Sequence, residues 1–169
     1  IFLLVRFTHW GKQFWQFAGG YLSPRRSIKP LLFFLLIVAM TLVSVRISLV
    51  HSEWYNNMYT SLQEFNEPVF WDQMVLFCVI ATSSVMTALL SYYLEQRFSI
   101  NWIEWLNSQL VDKWMDNRAY YKTQYVSANL DNPDQRIQQD VQSYVRTSLS
   151  LSTGVIDAVT SMISYTILL

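Results

Sequence analysis

The sequence predicts an all-α membrane protein, and three observations carry that prediction. Between Pro68 and Pro133 there is neither glycine nor proline. Two runs, residues 30–50 and about 71–94, are apolar enough and long enough to cross a bilayer. The stretch after the second run turns polar but keeps apolar residues at helical spacing to about Arg118, so the helix is expected to continue where lipid stops. At ~1.5 Å per residue, a helix from Val69 to Arg118 is roughly 75 Å long, against about 30 Å of hydrocarbon. The surplus, on the order of 40 Å, is expected to stand in water as a stalk.

Composition bounds the function. Of 169 residues, 52% are hydrophobic, and 12 basic residues balance 12 acidic ones, so net charge points to no partner and gives no basic footprint for nucleic acid. The single cysteine, Cys78, lies inside an apolar run, which excludes a disulfide framework and any metal-ligand spacing. The chain opens at Ile1 without the charged, apolar and cleavage regions of a signal peptide. Ile1 to Val5 reads as the end of an apolar helix, and Ser161 to Leu169 as a helical run without a polar flank. The segment is therefore expected to be an internal part of a larger membrane protein.

Residues 1–29 read as an interfacial elbow on the cytoplasmic side. Trp10, Phe14, Trp15, Phe17 and Tyr21 are interleaved with Lys12, Arg25 and Arg26, an amphipathic mixture suited to the headgroup layer. Packing accounts for these aromatics better than stacking on a ligand. Gly19-Gly20 and Ser23-Pro24 break the segment before the membrane. Pro30 suits the first turn of the first span, residues 30–50, and Arg46 near its far end can snorkel to the headgroups or contact substrate. A loop from His51 to Asp72 is expected next. The second span has its uncharged core from Gln73 to Leu94, and residues 95–146 form the stalk and the turn at its tip. On the stalk, Ile103, Leu106, Leu110 and Trp114 mark a packing face, with Phe98, Trp102 and Met115 close to it. The third span, residues 147–169, contains Gly154 and one acid, Asp157, which geometry puts near the inner boundary within reach of water.

Charge sets the orientation. Residues 1–30 contain Arg6, Lys12, Arg25, Arg26 and Lys29 and no acid. Ile47 to Asp72 contains Glu53, Glu64, Glu67 and Asp72 and no lysine or arginine, and Arg97, Lys113, Arg118, Lys122 and Arg136 follow the second span. The positive-inside rule puts the elbow and stalk in the cytoplasm and residues 51–72 outside.

The most specific short segment is Asp131-Asn132-Pro133-Asp134-Gln135-Arg136-Ile137. It reads as a helix start: Asp131 or Asn132 caps, Pro133 takes the first helical position, and Asp134 faces the positive end of the dipole. A short helix at the cytosolic tip of a stalk presents itself to a partner, and the chain then returns through Ile137 to Ser152. With Trp10 through Trp15, Asn56-Asn57-Met58-Tyr59, Leu62-Gln63, Gln96-Arg97-Phe98, Trp102, Trp105, Leu106, Arg118 through Tyr121 and Asp131 through Asp140, almost the whole chain resembles the membrane domain of ATP-binding cassette (ABC) transporters. More narrowly it is similar to the SbmA/BacA-type peptide-uptake group, its fused ATPase-permease relatives including the mycobacterial cobalamin and peptide importer, and more distantly the peroxisomal fatty-acyl transporters.

The resemblance implies a partial exporter-type (type 1) transmembrane domain, six core helices per subunit, a homodimer in the bacterial inner membrane, and a nucleotide-binding domain in the same polypeptide or a separate subunit. It implies ATP and magnesium for the full-length protein. It also implies that Asp131, Asn132, Pro133, Asp134, Gln135 and Arg136 couple to that domain. Asp157 departs from the uncharged polar residue expected there. No G-x-x-x-x-G-K-[ST] occurs, so no catalytic, cofactor or metal residue is assigned on this chain. The expected function is a permease moving a peptide, a cobalamin-like compound or an acyl compound, driven by ATP. Alternatives are a proton-driven SbmA-type uptake permease without ATPase and a non-transporting membrane scaffold.

Overall fold

A computed structural model describes residues 19–22, 28–115 and 133–168. These are helical apart from one turn, with no strand among the described residues. Beyond a helical turn at residues 19–22 there are three long helices, α1 (Ile28–Gln63), α2 (Glu67–Met115) and α3 (Pro133–Leu168). The expected all-α architecture is thus observed. The uninterrupted helix read from the missing glycines and prolines is α2, 49 residues long. That length corresponds to roughly 74 Å, more than twice the hydrocarbon thickness.

The residues group into two compact units, one formed by residues 1–34 and 96–150, the other by 35–95 and 151–169. In the second unit, α1 and α2 carry the two stretches long and apolar enough to cross a membrane. Their apolar side chains are largely outward: Leu35, Leu36, Val75, Leu89 and Leu90 are each more than half exposed or close to it. An exposed apolar surface of that extent is untenable in water and natural in lipid. Four hydroxyls within these stretches are satisfied locally. Thr41 donates to the Ile37 carbonyl, Ser48 to Ser44, Thr82 to Cys78 and Ser84 to Ile80. Such bonds to the preceding turn hide a polar group that lipid cannot solvate. By length and composition α3 does not join α1 and α2 as a candidate span among the described residues. Its part of the second unit carries Ser152, Thr153, Asp157, Thr160 and Ser161 among its apolar residues.

The connection expected as a loop from His51 to Asp72 is helical except at residues 64–66. Nothing between His51 and Gln63 breaks a helix, so α1 runs on through the acidic segment. It ends in a Schellman arrangement: the Asn66 amide donates to the Ser61 carbonyl at 3.0 Å and the Phe65 amide to Leu62 at 3.4 Å. Phe65 holds the left-handed conformation, φ 53°, and is 94% exposed. Asn66 then starts α2, its Oδ1 accepting from the Val69 amide at 3.4 Å. Pro68, in the first turn of α2, gives up an amide that had no helical partner to lose. Behind the turn the hairpin is pinned by Trp54, whose Nε1 donates to the Gln73 carbonyl at 2.8 Å. The same indole stacks on His51 at 5.5 Å and tilts against Phe77 at 4.9 Å.

The third helix also differs from the expectation. Pro133 starts it as read from the sequence, but no separate short helix follows among the described residues: α3 continues unbroken to Leu168. No glycine or proline falls between Pro133 and Gly154, and Gly154 sits inside the helix with open space around it.

Because Phe65 occupies a backbone region that disfavours side chains with a Cβ, Phe65→Gly is expected to raise stability. The gain is at most about 1 kcal/mol, trimmed by the freedom glycine adds to the unfolded chain. Phe65→Val, β-branched, is expected to lower it. The thermal-unfolding midpoint of the purified full-length protein measures both, and a lower midpoint for the glycine variant refutes the account.

Candidate functional site

Two places combine aromatic or charged chemistry with a defined geometry, one in each unit. In the first unit, α2 buries Phe98, Trp102 and Leu106, one helical turn apart, and α3 buries Val141, Val145 and Leu149 at the same kind of spacing. The stalk face expected from the sequence is therefore shifted. Phe98, Trp102 and Leu106 form its buried line, while Ile103, Leu110 and Trp114 are half-buried at its side.

Around this line the rings form a cluster. Tyr21 lies parallel to Trp102, with centroids 5.6 Å apart, meets Phe98 edge-on at 5.7 Å and tilts against Trp105 at 5.4 Å. Phe33 and Phe34 of α1 approach Phe98 at 6.3 and 5.9 Å, and Tyr144 of α3 meets Trp102 edge-on at 6.1 Å. Tyr21, read from the sequence as a packing aromatic of the elbow, does pack, and against the stalk. The other elbow aromatics, Trp10, Phe14, Trp15 and Phe17, lie outside the described residues. Gly20 is what lets the helical turn come so close: a Cβ there would sit 2.9 Å from Cη2 of Trp105.

Burial pushes the hydroxyls of Tyr21 and Tyr144 above the usual phenol range, and for Tyr144 a hydrogen bond with Ser148 partly offsets this. Both rings remain neutral packing groups at physiological pH. Two buried polar atoms on or beside this line, Ser99 Oγ and Trp102 Nε1, have no hydrogen-bond partner among the described residues. Each such group costs about 1–3 kcal/mol, which the ring packing around them must offset.

In the second unit, a groove of about 430 Å³ runs between α1 and α2. Its walls are aliphatic except for Arg46 and Ser83. Arg46 is exposed. Asp157, the other charge singled out in the apolar part, is exposed on α3 and does not line the groove.

Of the residues expected to couple to a nucleotide-binding domain, Asp131 and Asn132 lie outside the described residues. Pro133 and Asp134 form the first turn of α3, where Gln135 and Arg136 are exposed and Ile137 is half-buried. The exposed pair thus stands in the first turn of a helix. The sequence reading passed over Trp54. A tryptophan within an otherwise polar, acidic segment was the signal that it fastens something.

This geometry agrees with what the chain is similar to. Residues 18–169 match the family model described as ABC transporter transmembrane region 2. An uncharacterized ABC transporter ATP-binding protein of Haemophilus influenzae is 86% identical over 169 residues, all of this chain. A second such protein of that organism is 35% identical over 167 residues, 99% of the chain. The inner membrane ABC transporter ATP-binding protein YddA of Escherichia coli is 30% identical over 140 residues, 82% of the chain and 25% of its own length. The chain spans 28% of the length of each Haemophilus relative.

The close approach at Gly20 makes a test of the aromatic cluster. Gly20→Ala is expected to destabilise the full-length protein by about 1 kcal/mol, since Trp105 must move within a ring cluster. In a Trp105→Leu background the same substitution should cost much less, giving a non-additive double-mutant cycle. Additive thermal-unfolding shifts would show that the two residues do not meet.

Proposed function

Since this chain belongs to the ABC transporter transmembrane region 2 family, we propose that it is the permease segment of a transporter of the SbmA/BacA-like group. In this reading it moves a peptide, a cobalamin-like compound or an acyl compound across the inner membrane. It works as one half of a homodimer, with the energy supplied by a nucleotide-binding domain. The observation that carries the proposal is α2, whose 49 residues exceed what a bilayer can hold. In this reading the mechanical link is the unbroken helical backbone of α2, which continues from its apolar stretch into its polar one. The ATP-binding names of the relatives and the small share of their length that this chain covers support a motor elsewhere in the polypeptide. The present segment supplies no phosphate loop, and its own task is mechanical. It presents the start of α3 to the motor and holds α1 and α2 as a fastened pair.

The proposed coupling residues are Asp131, Asn132, Pro133, Asp134, Gln135 and Arg136. Capping is worth about 1 kcal/mol per genuine cap, so removing it loosens a helix start without unfolding a domain. In the full-length transporter, replacing Asp131 and Asn132 by alanine is expected to leave substrate binding intact and abolish substrate-stimulated ATP hydrolysis. Arg136→Ala should weaken the same coupling, because an exposed guanidinium is well matched to a partner's carboxylate or carbonyls. Wild-type stimulation in both variants would move the contact elsewhere.

The charge distribution supports an orientation with residues 64–66 outside and the start of α3 inside. Single cysteines at Glu64 and Gln135, both exposed, placed in a Cys78→Ala background, should be labelled from opposite sides of sealed vesicles. Labelling of both from one side sinks the orientation.

A further inference from the structure

We propose that the groove between α1 and α2 holds an acyl chain of an anionic phospholipid whose phosphate pairs with Arg46. The proposal goes beyond the transport reading and rests only on the apolar helices crossing a bilayer. Leu42, Ile47, Leu76, Val79 and Ile80 give the groove an aliphatic wall, with Arg46 as its single cation. A volume of about 430 Å³ lies within the range of roughly 300–1,000 Å³ typical of ligand sites.

Length and depth fit one leaflet. From Leu42 to Val50 the lining of α1 extends about 12 Å, close to the ~15 Å that is half of the hydrocarbon core. The apolar run ends at Val50, and His51, Ser52 and Glu53 follow. Arg46 lies four residues earlier, about 6 Å along the axis, a distance its own side chain spans to reach the headgroup layer.

Charge selects the headgroup. Among the described residues no ion pair or hydrogen bond engages Arg46, not even with Glu53 two turns further along α1. A guanidinium at the edge of hydrocarbon needs an anion, and a phosphate offers paired acceptor oxygens in matching geometry. A zwitterionic headgroup brings its own cation to the same place and satisfies Arg46 less well. The aliphatic wall, in turn, excludes a free phosphate as the occupant, because the groove gains nothing from an ion without a chain.

The test reconstitutes the full-length protein in vesicles of phosphatidylethanolamine and phosphatidylglycerol, with a trace of either lipid carrying a photoactivatable group in its chain. Crosslinked peptides are mapped by mass spectrometry. Phosphatidylglycerol is expected to mark the peptides covering residues 42–50 and 76–83, in excess over phosphatidylethanolamine by on the order of fivefold. Arg46→Gln should erase the preference and Arg46→Lys keep most of it. Val79→Trp changes an exposed lining residue, needs no core rearrangement, and should remove both crosslinks by filling the groove. The proposal is overturned if the wild type crosslinks elsewhere only, shows no preference between the lipids, or keeps its pattern in Arg46→Gln and Val79→Trp.

Discussion

Hydrocarbon offers no partner for an amide or a carbonyl, and the rest of this structure depends on that constraint. Every backbone group in the apolar stretches must be satisfied within its own helix. The same demand governs side chains: Thr41, Ser48, Thr82 and Ser84 each turn back to a carbonyl one turn earlier. Once a helix is obligatory inside lipid, extending it into water costs little, provided that no glycine or proline interrupts it and one face finds something to bury. α2 meets both conditions, with Phe98, Trp102 and Leu106 supplying the face.

Where the chain leaves the apolar region, the source of order changes. In the second unit the described side chains are mostly outward and the hairpin is held by its turn and by Trp54. In the first unit order comes from a ring cluster around Phe98 and Trp102 that draws on α1, α2, α3 and the turn at residues 19–22. That cluster holds two buried polar atoms without a partner among the described residues. Order there comes from several large rings that converge, each removing much apolar surface from water.

Much of this was legible in the sequence for simple reasons. The absence of helix breakers after Pro68 announced α2, and Pro133 following Asp131 and Asn132 in the sequence announced α3. The aromatic character of the stalk announced packing. What was not legible depended on interactions that composition does not encode. The turn at residues 64–66 contains no glycine, and its left-handed residue is a phenylalanine, so nothing marks the end of α1, although Asn66 and Pro68 mark the start of α2. The acidic segment before it looked like a loop because charge and helix are independent properties. The shift of the stalk face to Phe98, Trp102 and Leu106 follows from which rings meet Tyr21 and Tyr144, a tertiary fact. For the start of α3, the sequence identified the helix and the arginine that stands exposed in its first turn.

The brevity of that turn bears on how the protein is made. Joining two helices through residues 64–66 keeps the loop-closure entropy small. The Trp54 to Gln73 bond spans only 19 positions. Contacts of such short range form early, because little chain has to be gathered before they are rewarded. α1 and the apolar part of α2 can therefore associate as a hairpin while later helices are still being synthesised. A hairpin closed in this way is a unit that can be inserted whole, since its turn and its Trp54 bond need no residue outside 51–77.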